Sequence, residues 1–145
     1  MFFFKKSVIH IPKNVYDEMT AHAKEDYPNE CCGVITGINT KVRKAFASYR
    51  VKNLNTERTE DRYAVDPREI NLIDKEARVE GIEIIGFYHS HPDHPDRPSE
   101  FDREMGQAGY SYVIISVNKG GGITARSWTT LGEKDPFKEE TIKVE

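Results

Sequence analysis

No stretch of this 145-residue chain is apolar for long enough to cross a bilayer, which argues against a membrane protein. Met1-Phe2-Phe3-Phe4-Lys5-Lys6 is too short for a signal peptide, and its charge follows the apolar part instead of preceding it. Export is therefore not expected. Cysteine is scarce: the two present, Cys31 and Cys32, are adjacent. A disulfide needs well-separated Cα atoms, so the pair provides no secreted framework, and a reducing cytoplasm is the expected compartment. Positive charge is not in excess either. The net charge is −3, with no basic stripe interleaved with aromatics, which speaks against nucleic acid as partner. Gly120-Gly121-Gly122 lacks the Lys-Ser/Thr of a phosphate loop and reads as a hairpin turn. Linkers, repeats and low-complexity tracts are missing, so residues 1–145 are expected to form one domain, with a core over about 7–130.

What is present alternates between strand and helix patterns. Ser7 to Ile11 reads as a short strand, and Pro12 suits a helix start. Val15, Met19 and Ala23 then share one helical face to about Asp26, where Tyr27-Pro28-Asn29 breaks the run. Cys31 to Ile35 is strand-like, with Gly33 and Gly37 as points of close approach, and Lys41 to Val51 is its hairpin partner. Lys52 to Arg62 has no period and reads as a loop; Tyr63 to Val65 reads as a short strand. Asp66-Pro67-Arg68-Glu69 is a helix start, with Asp66 as cap; Ile70, Ile73 and Ala77 face the core and Gly81 ends the helix. Glu83 to His89 is the central strand, Ser99 to about Gln107 a short helix, and Tyr110 to Val117 and Ile123 to Thr129 two further strands. Phe137 to Val144 is left as a final edge strand or a loose tail. Roughly six to eight strands and three helices make an α/β or α+β domain with a mostly antiparallel sheet.

The chemistry concentrates after the apolar run Ile84-Ile85-Gly86-Phe87-Tyr88. In a strand, residues i and i+2 share a face, so His89 and His91 project side by side from its end. Prolines then keep the chain irregular until Ser99, which caps a helix and aims Asp102 back at the histidines. His, His and Asp make three protein ligands, the number with which tetrahedral zinc keeps a position open for water. The plain structural alternatives are two metal-free histidines at a strand end and a Ser-x-x-Asp cap with no further role. His94 is a rival third ligand, although its proline-bracketed loop favours a place lining the cleft. Arg97 reads either as a solvated charge or as a group for an acidic or C-terminal substrate end. The cysteines read as one buried and one partly exposed thiol, with a zinc or redox pair as the alternative. A zinc hydrolase also needs a general base, and among 24 acids spacing alone selects none.

His89-x-His91-Pro92, six more residues, then Ser99-x-x-Asp102 closely resembles the signature of the JAMM (MPN+) metalloprotease family. Tyr27 to Gly37 resembles the acid-bearing strand of its compact prokaryotic members, and Tyr110 to Val117 their strand after the motif. The resemblance implies a curved, mostly antiparallel sheet flanked by helices, in a cytidine-deaminase-like fold. It implies Zn2+, one per chain, on His89, His91 and Asp102. Glu30 is implied as catalytic acid–base and Ser99 as stabiliser of the tetrahedral intermediate. Only eight residues lead from Asp102 to Tyr110, which leaves no room for the insertion of dedicated deubiquitinases. The compact relatives suggest a peptidase for the Gly-Gly tail of a ubiquitin-like sulfur-carrier protein. That tail is expected to lie along a sheet edge beside the Lys52 to Arg62 loop by strand addition, with its small glycines approaching the zinc. The alternatives are an isopeptidase that frees ubiquitin-like proteins from lysines, a non-catalytic zinc-bearing module, and a relative of the MPN-fold proteins of DNA repair. The apolar Phe2-Phe3-Phe4 is a candidate self-association surface; the sequence leaves the oligomeric state open, a homodimer included.

Overall fold

The computed structural model describes residues 7–132 and 135–145. The Phe2-Phe3-Phe4 segment lies outside the described residues. The order is β1 (Val8–Ile11), α1 (Lys13–Asp26), β2 (Cys32–Asn39), β3 (Arg43–Val51), α2 (Pro67–Val79), β4 (Glu83–Pro92), α3 (Glu100–Met105), β5 (Ser111–Val117), β6 (Ile123–Thr129) and β7 (Lys138–Val144). Among the described residues, three helices and seven strands make an α+β fold. None of the described helices is long and apolar enough to cross a membrane.

The sheet departs from the expected curved, mostly antiparallel sheet. It closes as a barrel in the order β1-β3-β2-β4-β5-β6-β7. The pairs β1–β3, β1–β7 and β4–β5 are parallel and the other four antiparallel, so the sheet is mixed. The segment expected to be an edge strand or a loose tail, β7, pairs with β6 on one side and β1 on the other. Closure pairs both sides of β7, but it leaves part of β3 open on its outer side. At the start of β3, β1 pairs with it only at Arg43 and Lys44, so the outer side of the rest of β3, which leads into the Lys52 to Arg62 loop, has no strand partner among the described residues. Tyr63 to Val65 forms no strand.

The sheet carries apolar side chains on both faces, and a helix covers each. Val15, Met19 and Ala23 of α1 pack with Ile9, Ile35, Ile85 and Val113. On the other face Ile73 of α2 packs with Cys32, Val34, Val51 and Ile84. This explains the cysteines. Adjacent strand residues point to opposite faces, and with both faces covered both thiols are buried, Cys31 in the first cluster and Cys32 in the second. Neither is the partly exposed thiol expected from the sequence.

Gly33 and Gly37 are among the glycines required by close approach. A Cβ on Gly33 would lie 2.0 Å from the Tyr88 ring, and one on Gly37 would lie 1.9 Å from the Lys44 carbonyl oxygen. Gly37 sits where the β2–β3 register shifts. A second shift matters more. Against β4, Ile35 pairs with Gly86 but Thr36 with Ile84, so Ile85 is left over as a bulge. An extra residue changes the face that side chains address. Ile85 stays in the α1 core, while Phe87 is brought against the α2 side. His89 and His91 continue from Phe87 at the two-residue strand period.

Candidate metal centre and cleft

His89 and His91 occupy the last turn-free residues of β4, which runs to Pro92, beyond the expected end at His89. Both are buried, as are Asp102 and Glu30. The Nε2 atoms of His89 and His91 are 3.2 Å apart. Asp102 reaches both, with Oδ1 3.1 Å from His89 Nε2 and Oδ2 3.0 Å from His91 Nε2. A ligand atom of Glu30 lies within 4.8 Å of those of the two histidines. The sequence-selected residues are thus drawn from three places, the start of β2, the end of β4 and the first turn of α3, into one cluster.

Local chemistry sets each orientation. His91 Nδ1 is 2.8 Å from the Pro95 carbonyl oxygen, which can only accept. The proton is thereby placed on Nδ1 and the lone pair of Nε2 is turned to the cluster. Ser99 caps α3 reciprocally: the Asp102 N–H donates to Ser99 Oγ over 3.1 Å, and the Ser99 N–H donates to Asp102 Oδ2 over 2.9 Å. The cap and the aim of Asp102 are therefore one arrangement. The intervening loop is held at successive carbonyls, by Ser116 Oγ at His94 (2.5 Å) and Trp128 Nε1 at Asp96 (3.0 Å). His89 is covered by Tyr63, stacked with ring centroids 4.6 Å apart, and its Nδ1 is buried without a partner.

Charge follows from this packing. Burial alone would raise the Asp102 carboxyl, but His89, His91 and the Ser99 N–H hold it well below the usual carboxylate range. Burial opposes a charged His91, yet the Asp102 carboxylate outweighs it and raises the imidazole. Burial pushes Glu30 up to about 8, His91 opposes this, and Asp102 and Asp61 add to it. Burial likewise pushes both cysteine thiols up to about 12, and the two thiols lie in separate apolar clusters.

The cluster opens into a cleft of about 460 Å³ bordered by the buried Glu30 and His91 and by Ser99, Arg58, Arg62, His94 and Arg97. His94 and Arg97 are both exposed there. Arg58 is paired with Asp61, and the Arg62 guanidinium lies 5.3 Å from the centroid of Phe101. Spacing did not reveal Tyr63, Asn53 or the Arg58–Asp61 pair. The signal that could have found the loop's order is the pair of turn-forming asparagines, Asn53 and Asn55.

Residues 12–131 match the family of prokaryotic homologues of the JAB domain. The chain is 35% identical over 144 residues to the desampylase of Haloferax volcanii, spanning 96% of this chain and 98% of that protein. It is 30% identical over 112 residues to the CysO-cysteine peptidase of Mycobacterium tuberculosis, spanning 76% and 74% of the two chains. The solution structure of a Desulfitobacterium hafniense protein superposes with a TM-score of 0.82 at 32% identity, over 94% of this chain and 92% of that one.

Proposed function

Given that the chain belongs to the family of prokaryotic homologues of the JAB domain, and is a hydrolase of peptide or isopeptide bonds, we propose that it is a zinc metallopeptidase acting at the C-terminal tail of a ubiquitin-like sulfur-carrier protein. One observation carries the metal: two imidazole Nε2 atoms and a carboxylate converge at 3.0 to 3.2 Å in a buried place. Ligand atoms around a tetrahedral ion with bonds near 2.0–2.1 Å sit about 3.3–3.4 Å apart, so the three side chains need only a slight outward shift to hold zinc. The His91 Nδ1 contact with Pro95 supports the same tautomer. The borderline donor set of two nitrogens and an oxygen suits zinc.

His89, His91 and Asp102 would hold the ion, whose contribution is to act as a Lewis acid and lower the pKa of a water toward neutrality. Glu30, placed beside the cluster, takes a proton from the attacking water and later returns it to the leaving amine. Ser99 Oγ already accepts from the Asp102 N–H, so its own hydroxyl hydrogen is available to the oxyanion of the scissile carbonyl. Arg58, Arg62 and Arg97 border the path along which a tail enters. Relatives named desampylase and CysO-cysteine peptidase support a ubiquitin-like conjugate as substrate.

The test is the intact mass of a ubiquitin-like sulfur carrier extended beyond its Gly-Gly, incubated with the zinc-loaded protein, with Glu30→Gln as control. A product ending at Gly-Gly, absent with the variant, is expected. An unchanged mass with zinc bound, together with cleavage of a lysine-linked conjugate, would move the assignment to isopeptidase; cleavage of neither would leave a zinc-bearing interaction module.

A further inference from the structure

Glu30 lies just before β2, and its backbone is held by a loop instead of a strand. Its N–H donates to the Thr59 carbonyl oxygen over 2.6 Å, and its own carbonyl oxygen accepts from Asn53 Nδ2 over 3.3 Å. Both polar backbone groups of this residue thus end on the 53–64 segment. That segment is closed on itself by the same asparagine. Asn53 Nδ2 also donates to the Arg62 carbonyl over 3.0 Å, while Asn53 Oδ1 accepts from the N–H groups of Asn55 and Ala64, each over 3.0 Å. Two donors and two acceptor sites are all that an amide side chain offers, and Asn53 uses all four. The Leu54 N–H to the Ala64 carbonyl (2.8 Å) closes the base of the loop, and Thr59 Oγ1 to Asn29 Oδ1 (2.7 Å) holds the residue before Glu30.

We propose that Asn53 is the positioning residue for Glu30: its amide ties the 53–64 loop to the Glu30 backbone and so sets where the Glu30 carboxylate stands in the cleft. The inference rests on the assignment of Glu30 as acid–base. Asn53 touches no reacting atom in this arrangement and acts only through Glu30. Its two halves do separable work. Oδ1 holds the loop's own N–H groups, and Nδ2 reaches across to Glu30 and Arg62. Asn53→Asp therefore keeps the acceptor that closes the loop and removes the donor that joins it to Glu30. Asn53→Ala removes both. The same loop carries Arg58, Asp61 and Arg62 to the cleft wall, so a role limited to the wall would change substrate affinity and leave turnover intact.

The experiment compares zinc-loaded wild type, Asn53→Asp, Asn53→Ala and Glu30→Gln on the extended ubiquitin-like carrier, or on the lysine-linked conjugate if that is the one cleaved. The readouts are kcat and KM, bound zinc, and amide hydrogen exchange at Glu30, which needs no substrate. Misplacement of a reacting group by about 1 Å costs on the order of 100-fold, so Asn53→Asp is expected to lower kcat by about 10- to 100-fold with a KM change under about threefold. Zinc content stays at the wild-type level and the Glu30 amide exchanges faster. An unchanged kcat, whether or not exchange quickens, overturns the proposal; so does a raised KM with normal kcat. An active Glu30→Gln overturns the acid–base assignment and with it the positioning role. An inactive Glu30→Gln beside a fully active Asn53→Asp sinks the positioning role alone.

Discussion

Asp102 and His94 are both within reach of His91 in sequence, but only one is turned toward it. Asp102 spans both imidazoles with its two oxygens. His94 offers its backbone carbonyl to Ser116 and leaves its side chain in the open cleft. Outer partners of metal ligands are worth about 10- to 100-fold in affinity, so removal of a ligand by Asp102→Ala is expected to weaken zinc binding by at least about 100-fold. His94→Ala is expected to retain it. Zinc per chain after dialysis against a weak chelator reads both, and the reverse pattern would show that His94 is the third ligand. The pair His89 and His91 was legible because the strand period alone puts them together. Glu30 was not, because one acid among many acquires a role only through what folds beside it; resemblance singled it out where spacing did not.

Elements add constraints that single residues do not carry. The start of α2 was readable from Asp66-Pro67, and the Asp66 side chain accepts from the Arg68 N–H over 2.9 Å. That bond and the Arg68 guanidinium hold the Asp66 carboxyl below its usual range. A depressed folded-state pKa means that the stabilisation is complete above about pH 4, the ordinary aspartate value, and is lost as pH falls through the lower folded value. Asp66→Ala is expected to lower the melting temperature at pH 7, with the gap to wild type closing in strong acid. Asp66→Asn is expected to keep most of the cap and show no such closing. A gap independent of pH would mean that the carboxylate charge contributes nothing. By contrast, the bulge at Ile85 was invisible. Ile84 and Ile85 are alike as apolar β-branched residues, and only pairing against β2 shows which of them is left over.

For the whole molecule the decisive feature is closure, and a buried acid stands at the seam. Glu140 of β7 has no exposed side-chain surface. It accepts from Ser7 Oγ (2.5 Å), Ser111 Oγ of β5 (2.5 Å) and Ser127 Oγ of β6 (2.8 Å), while Arg43 of β3 donates to the same Ser111 (2.6 Å) and lies 3.6 Å from the carboxylate. Strands distant in sequence are thereby tied where β7 meets the rest. Removing one partner of a buried charged network typically costs about 3–5 kcal/mol, and Glu140→Ala is expected to lose stability on that scale. Urea unfolding followed by circular dichroism measures it; a loss below about 1 kcal/mol, the scale of an exposed ion pair, would show that closure does not depend on this acid.

From sequence alone come most of the elements and the His-x-His and Ser-x-x-Asp motif, because strand and helix periods and caps are local properties. His89, His91, Ser99 and Asp102 lie within 14 consecutive residues and needed no long-range contact to be read together. The tertiary structure decided the rest. The barrel closed through β7, both cysteines were covered, the bulge chose the face that Phe87 shares with α2, and the loop from Asn53 gripped Glu30. Each depends on pairing between segments far apart in the chain, where the free energy lies in register and burial and no local pattern records it.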